Sequence, residues 1–101
     1  MTSVERRDPS DLVDAIAAAV TSVEGVADLH GGMFGEAATY LPGRRVAGIR
    51  VEEHGTEVHV VLLFGYPVRP TAEAVRDAVA AVTPGPVHVT VEDVVRPRRD
   101  A

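Results

Sequence analysis

The sequence predicts a two-layer α+β sandwich, with two helices packed on one face of a mixed three- to four-stranded sheet in the order α-β-β-β-α-β. Three observations carry this. The stretch Val46–Phe64, VAGIRVEEHGTEVHVVLLF, alternates apolar and polar residues in two runs about a polar turn, Glu53-His54-Gly55-Thr56, as a β-hairpin does. Segments 12–23 and 72–82 place apolar residues at helical spacing. A second alternating run, Val87–Val94, follows the second helix, and a strand–helix–strand unit sets its two strands parallel in one sheet.

In order along the chain, residues 1–9 are charged and patternless and read as a flexible N-terminus. Residues 10–95 form a single domain and 96–101 a charged tail. Ser10 serves as the N-cap of the first helix, with Asp11 and Asp14 where the helix dipole favours negative charge. Leu12, Val13, Ile16, Ala17, Val20 and Val23 form its apolar stripe, and Gly25 ends it. Val26–Leu29 is a short edge strand. The segment from His30 to Arg45, HGGMFGEAATYLPGRR, reads as a long irregular loop broken by glycines and by Pro42-Gly43. In the hairpin that follows, Val60-Val61-Leu62-Leu63-Phe64 is almost wholly apolar, as expected of a central strand covered on both faces. Gly65–Pro70 is an extended connector, because residues before proline avoid the α region. Thr71 caps a helix over 72–82, which Thr83-Pro84-Gly85-Pro86 stops.

Composition narrows the function. With 101 residues, 46% of them hydrophobic and four aromatic, the chain supports one modest core built from Val, Ala, Leu and Ile. The net charge of −5 argues against a general nucleic-acid binder, which carries a basic face. The absence of cysteine removes disulfides and thiolate chemistry and fits a reducing cytoplasm. No segment approaches the roughly 18–20 apolar residues that span a bilayer, and MTSVERRDPS has no apolar stretch of the kind a signal peptide needs.

Candidate chemistry is sparse. His59 and His88 stand at outward positions of strands expected to be neighbours, with Glu57 and Glu92 in range. Imidazole with carboxylate suits zinc, but without close ligand spacing the plainer reading is a pair of solvated surface histidines. His54 is a turn residue and His30 a loop residue. The serines are Ser3, Ser10 and Ser22, all near the N-terminus, which leaves nucleophilic catalysis almost no material. Gly32-Met33-Phe34-Gly35 has the GxxG form of KH RNA-binding domains, but there it joins two helices in a basic setting, whereas here it follows a strand and precedes Glu36. The sequence therefore implies no catalytic residue, no cofactor and no metal ligand.

One resemblance covers nearly the whole domain, about residues 13–94. Val23-Glu24-Gly25-Val26-Ala27-Asp28-Leu29, a Gly-rich loop, Gly43-Arg44, and Ala47-Gly48-Ile49-Arg50-Val51 lead into a long strand closing at Phe64-Gly65. A helix bearing Val75 and Val79 follows, then Val87-His88-Val89-Thr90-Val91-Glu92-Asp93-Val94. The pattern resembles the alkaline shock protein family of Gram-positive bacteria, which includes a glucose-starvation stress protein. Where that family has a small-polar-Ile-Pro-Glu segment before the helix, this chain has Tyr66–Thr71 with two prolines. The resemblance implies a non-enzymatic cytoplasmic protein of envelope stress and homeostasis, in some members held under the membrane by a separate integral-membrane partner. The expected working surface is the sheet face left bare by the helices, with Arg50, His59, Val61 and Leu63, together with the basic pair Arg44 and Arg45. Its expected partner is a second copy or a membrane-anchored protein.

Overall fold

A computed structural model describes residues 9–97, so the expected flexible start before Pro9 and the end of the charged tail lie outside the described residues. Its elements are α1 (Pro9–Thr21), β1 (Val26–Leu29), β2 (Ala38–Leu41), β3 (Arg44–Ala47), β4 (Ile49–Glu52), β5 (Gly55–Leu63), α2 (Val68–Ala80) and β6 (Val87–Val95). The architecture is the expected α+β sandwich, extended by one hairpin.

The apolar run read as a central strand covered on both faces belongs to β5, which is central but has helices over one face only and ends at Leu63, leaving Phe64 exposed. Strand β6 lies parallel along one of its edges, from Thr56 opposite Val87 to Leu63 opposite Val95. The other edge is shared end to end by two antiparallel strands. β4 takes the first half, with Ile49 opposite Val58, and β1 the second, with Leu29 opposite Val60. Side chains alternate across a strand, so Val58, Val60 and Leu62 of β5 point to the helix layer and are fully buried with Val13, Ile16, Val20, Ile49, Val75 and Val79. Glu57, His59, Val61 and Leu63 take the opposite face and are half-buried, with no helix over them.

The segment expected to be an irregular loop contains the β2–β3 hairpin, with Ala38 opposite Ala47 and Leu41 opposite Arg44. Its turn is Pro42-Gly43, residues that read as breakers in the sequence. Proline's fixed φ suits the first central turn position, and Gly43 supplies φ of 80° at the second. Leu41 and Val46 pack against the core, and the Thr39 hydroxyl donates to the carbonyl of Ile49. Arg44 reaches Asp14 on α1 at 3.0 Å. The hairpin therefore closes the helix side of the sheet. Val46 and Ala47, expected to open the central hairpin, belong to β3 instead.

Both helices sit a few residues N-terminal to expectation. α1 runs over Pro9–Thr21, so Ser10 lies within it. α2 starts at Val68 after Pro67, and Pro70 sits in the first turn, where its missing N–H has no helical acceptor to lose. Thr71 does not cap the helix; its hydroxyl donates back to the Pro67 carbonyl at 2.7 Å.

Candidate functional site: the uncovered sheet face

β-strand alternation collects an unusual set of charges on the face opposite the helices. Arg50 on β4 stands directly across from Glu57 on β5, the arrangement in which opposite charges stabilise a strand pair. Arg50 Nη1 lies 4.0 Å from Glu57 Oε1, and its Nη2 also meets the Glu52 carboxylate. His54 Nε2 is 2.9 Å from the other Glu52 oxygen. On β5, His59 Nε2 lies 3.6 Å from Glu57 Oε1, and His59 Nδ1 is 2.6 Å from Glu92 Oε2 on β6. One band of polar contacts, His54–Glu52–Arg50–Glu57–His59–Glu92, thus crosses β4, β5 and β6, with Arg50 and its two glutamates as the ion pairs. Its β5–β6 end is the most sheltered part, the His59 side chain being 13% exposed and that of Glu92 20%.

A β-bulge lies at Glu92. The β5–β6 register runs regularly to Val60 opposite Val91, then skips to Val61 opposite Asp93. The extra residue is Glu92, left without a ladder partner, as the additional residue of a bulge is. Beyond it Val61 is flanked by Asp93 on β6 and Asp28 on β1. Val61 and Leu63 form the apolar part of the face, continuous with the charged band.

A carboxylate holding an imidazole by Nδ1 also orients general bases in hydrolytic sites. Here Nδ1 is held by Glu92 and Nε2 faces Glu57, so neither nitrogen of His59 is engaged by a hydroxyl nucleophile. No group of three or more His, Cys, Asp or Glu among the described residues is arranged to hold a metal ion. No helix among the described residues is long and apolar enough to cross a membrane.

Of the expected surface residues, Arg50, His59, Val61 and Leu63 share this face, and Arg44 and Arg45 belong to the separate β2–β3 hairpin. Adjacent residues of a strand point opposite ways. Arg44 of β3 goes to Asp14, which raises its pKa further, while Arg45 lies 5.9 Å over the Tyr40 ring and donates to the Gly35 carbonyl at 3.4 Å.

The Gly-rich loop between β1 and β2 is held rather than slack. The Gly35 N–H donates to the Gly32 carbonyl at 3.2 Å, and the Ala37 N–H to that of Gly31 at 2.9 Å. Glu36 folds beneath the turn and accepts from the Phe34 N–H at 3.0 Å, leaving Met33 and Phe34 displayed at 79% and 89% exposure. The backbone N–H groups of Glu36 and Phe34 hold the Glu36 carboxyl below the usual glutamate range, with His59 and His30 nearby adding to the effect. A depressed carboxylate pKa contributes stability that is complete above the unfolded value and lost as pH falls through the folded one. The Phe34 amide should therefore titrate by NMR with a midpoint below the ordinary glutamate range, and Glu36→Gln should abolish that titration. A midpoint at the ordinary value would mean that the carboxylate hangs free in solution.

Alternation put Arg50 and His59 on one face with Glu57 and Glu92 in range, whereas the bulge at Glu92 has no local sequence signal. No protein-family model, curated protein or solved structure matches this chain.

Proposed function

We propose that this protein is a non-enzymatic interaction module that associates with itself through the uncovered face of its sheet, in the stress-response and envelope-homeostasis role that the resemblance to alkaline shock proteins implies. The observation that carries the reading is the apolar pair Val61 and Leu63 on a sheet face that no helix covers. After a twofold rotation these side chains of two copies can meet, with Arg50 of one copy placed against carboxylates of the other. A nucleic-acid backbone would meet Glu52, Glu57, Glu92 and Asp93 on the same surface, which disfavours a KH-like role. The sheltered position of His59 supports a preformed, level surface, which loses little freedom on docking.

Val61→Lys is the informative substitution. Asp28 and Asp93 flank the position, so a lysine there is matched within the monomer while its charge opposes an apolar contact between copies. Sedimentation equilibrium should find the unaltered chain as a dimer or larger, and Val61→Lys as a monomer with unchanged circular dichroism and melting temperature. A monomeric unaltered chain that also brings down no membrane protein from cell lysate would overturn the reading. Recovery with an integral-membrane protein, lost in Val61→Lys, would instead assign the face to an anchoring partner.

A further inference from the structure

A second site lies on the opposite edge of the sheet, between α2 and β6. A groove of about 290 Å³ has Ala72, Val87 and Val89 as its apolar floor and Arg69, Glu73, Arg76 and His88 on its rim. Two independent features make it unlike the rest of the surface. The first is charge. Among the described residues Arg44 and Arg50 are ion-paired, and Arg45 and Arg96 lie over aromatic rings. Arg69 and Arg76 have no ion pair, hydrogen bond or ring contact among the described residues, and both line this one groove. Glu73 stands between them in sequence yet pairs with neither. In a chain of net charge −5, the two uncommitted arginines have been brought to one place.

The second feature is the strand edge. β6 pairs with β5 and with no other strand. The Thr56 N–H donates to the Pro86 carbonyl at 2.9 Å. In a parallel ladder alternate residues bond to the same neighbour, so the N–H and C=O groups of Val87 and Val89 aim away from β5. The groove is lined by Val87, His88 and Val89 of β6, the residues of that free edge. Long unpaired edges are templates for an added strand, and here the bulge at Glu92 that interrupts the edge begins only beyond Val91.

We infer that this groove binds an extended acidic segment of a partner protein, which adds to β6 as a further strand at Val87–Val91 and sets its carboxylates against Arg69 and Arg76. The main-chain bonds to Val87 and Val89 supply the affinity and the two arginines select acidic side chains, the division of labour of strand-addition sites. Guanidinium–carboxylate pairs of this kind are charge-assisted and directional. Only His88 belongs also to the uncovered face, where it stands opposite Glu57, and the site stands whether or not that face proves to be an interface.

The test uses end-capped octapeptides and the full chain, read by the backbone amide shifts of Val87 and Val89. A peptide alternating valine and glutamate should bind saturably and perturb these amides. Its counterpart alternating valine and lysine should bind about tenfold more weakly or worse, as should the glutamate peptide methylated on alternate backbone nitrogens, which keeps the charge and loses the ladder bonds. Arg69→Glu with Arg76→Glu, both at exposed helix positions, should weaken the glutamate peptide by a similar factor with circular dichroism unchanged. Val61→Lys should leave peptide binding as it was, which separates this site from the uncovered face. Absence of binding by the glutamate peptide would overturn the inference. Equal binding by the methylated or lysine peptide, or saturation of the same amides by inorganic phosphate alone at equal strength, would overturn it too.

Discussion

Replacing Gly48 with alanine should destabilise the protein by about 2–5 kcal/mol, combining a left-handed residue with overpacking. Gly48 has φ of 88°, a conformation that costs any residue with a β-carbon. A Cβ there would also come within 2.8 Å of Leu29 Cβ, 3.0 Å of the His30 nitrogen and 3.0 Å of the His59 carbonyl oxygen. Two of these three are backbone atoms of the sheet and cannot swing aside. Gly48 is the junction at which four parts of the chain meet. Its N–H donates to the Ala37 carbonyl at 2.7 Å, its carbonyl accepts from the His59 N–H at 2.9 Å, and the His59 carbonyl accepts from the His30 N–H at 2.9 Å. It thereby lets β1 and β4 share one edge of β5 and ties the Gly-rich loop to that edge. Gly43 provides the control, having φ of 80° but open space where a Cβ would stand, with no atom within 4 Å. Gly43→Ala should cost only about 1–2 kcal/mol, from the left-handed conformation alone. Chemical denaturation of the two variants decides the matter, and equal losses would show that the close approach at Gly48 contributes nothing.

The fold was legible where pattern and burial coincide. Val58, Val60 and Leu62 alternate with Glu57, His59 and Val61, and the strand they form is the one with both edges paired and one face under helices. The β2–β3 hairpin was not legible, because its strands are only four residues each and because a proline and a glycine mark a break as readily as a tight turn. The start of α2 was hidden for a related reason. Prolines at 67 and 70 argue against helix in general, yet proline is compatible with the first helical turn, where Pro70 lies. At the candidate site, alternation placed Arg50 and His59 on one face with Glu57 and Glu92 in range, but the bulge at Glu92 is set by how two strands pair rather than by the residues of one. Arg44 and Arg45 looked like a single basic spot because they are adjacent. Adjacency on a strand is what sends them to opposite sides, one to α1 and the other to the Gly-rich loop.

Leu62→Ala and Val61→Lys, one residue apart on β5, should give opposite results. Leu62 is fully buried beneath the helices, and truncating it removes packing and leaves a cavity, a loss of about 2–5 kcal/mol. A domain of this size has roughly 5–15 kcal/mol in total, so Leu62→Ala should melt well below the unaltered chain and lose self-association through unfolding. Val61 points the other way, toward the uncovered face, between Asp28 and Asp93. Lysine there displaces no core atom and gains two carboxylate neighbours, so Val61→Lys should keep the melting temperature and lose only the association between copies. Thermal melts read alongside sedimentation separate the two kinds of loss. If Val61→Lys destabilises the isolated chain as much as Leu62→Ala does, Val61 is part of the monomer's own core, and the face proposed for self-association is not a free surface. If Val61→Lys stays folded and monomeric while Leu62→Ala unfolds, β5 serves two ends at once, with one side holding the domain together and the other presented to a second copy.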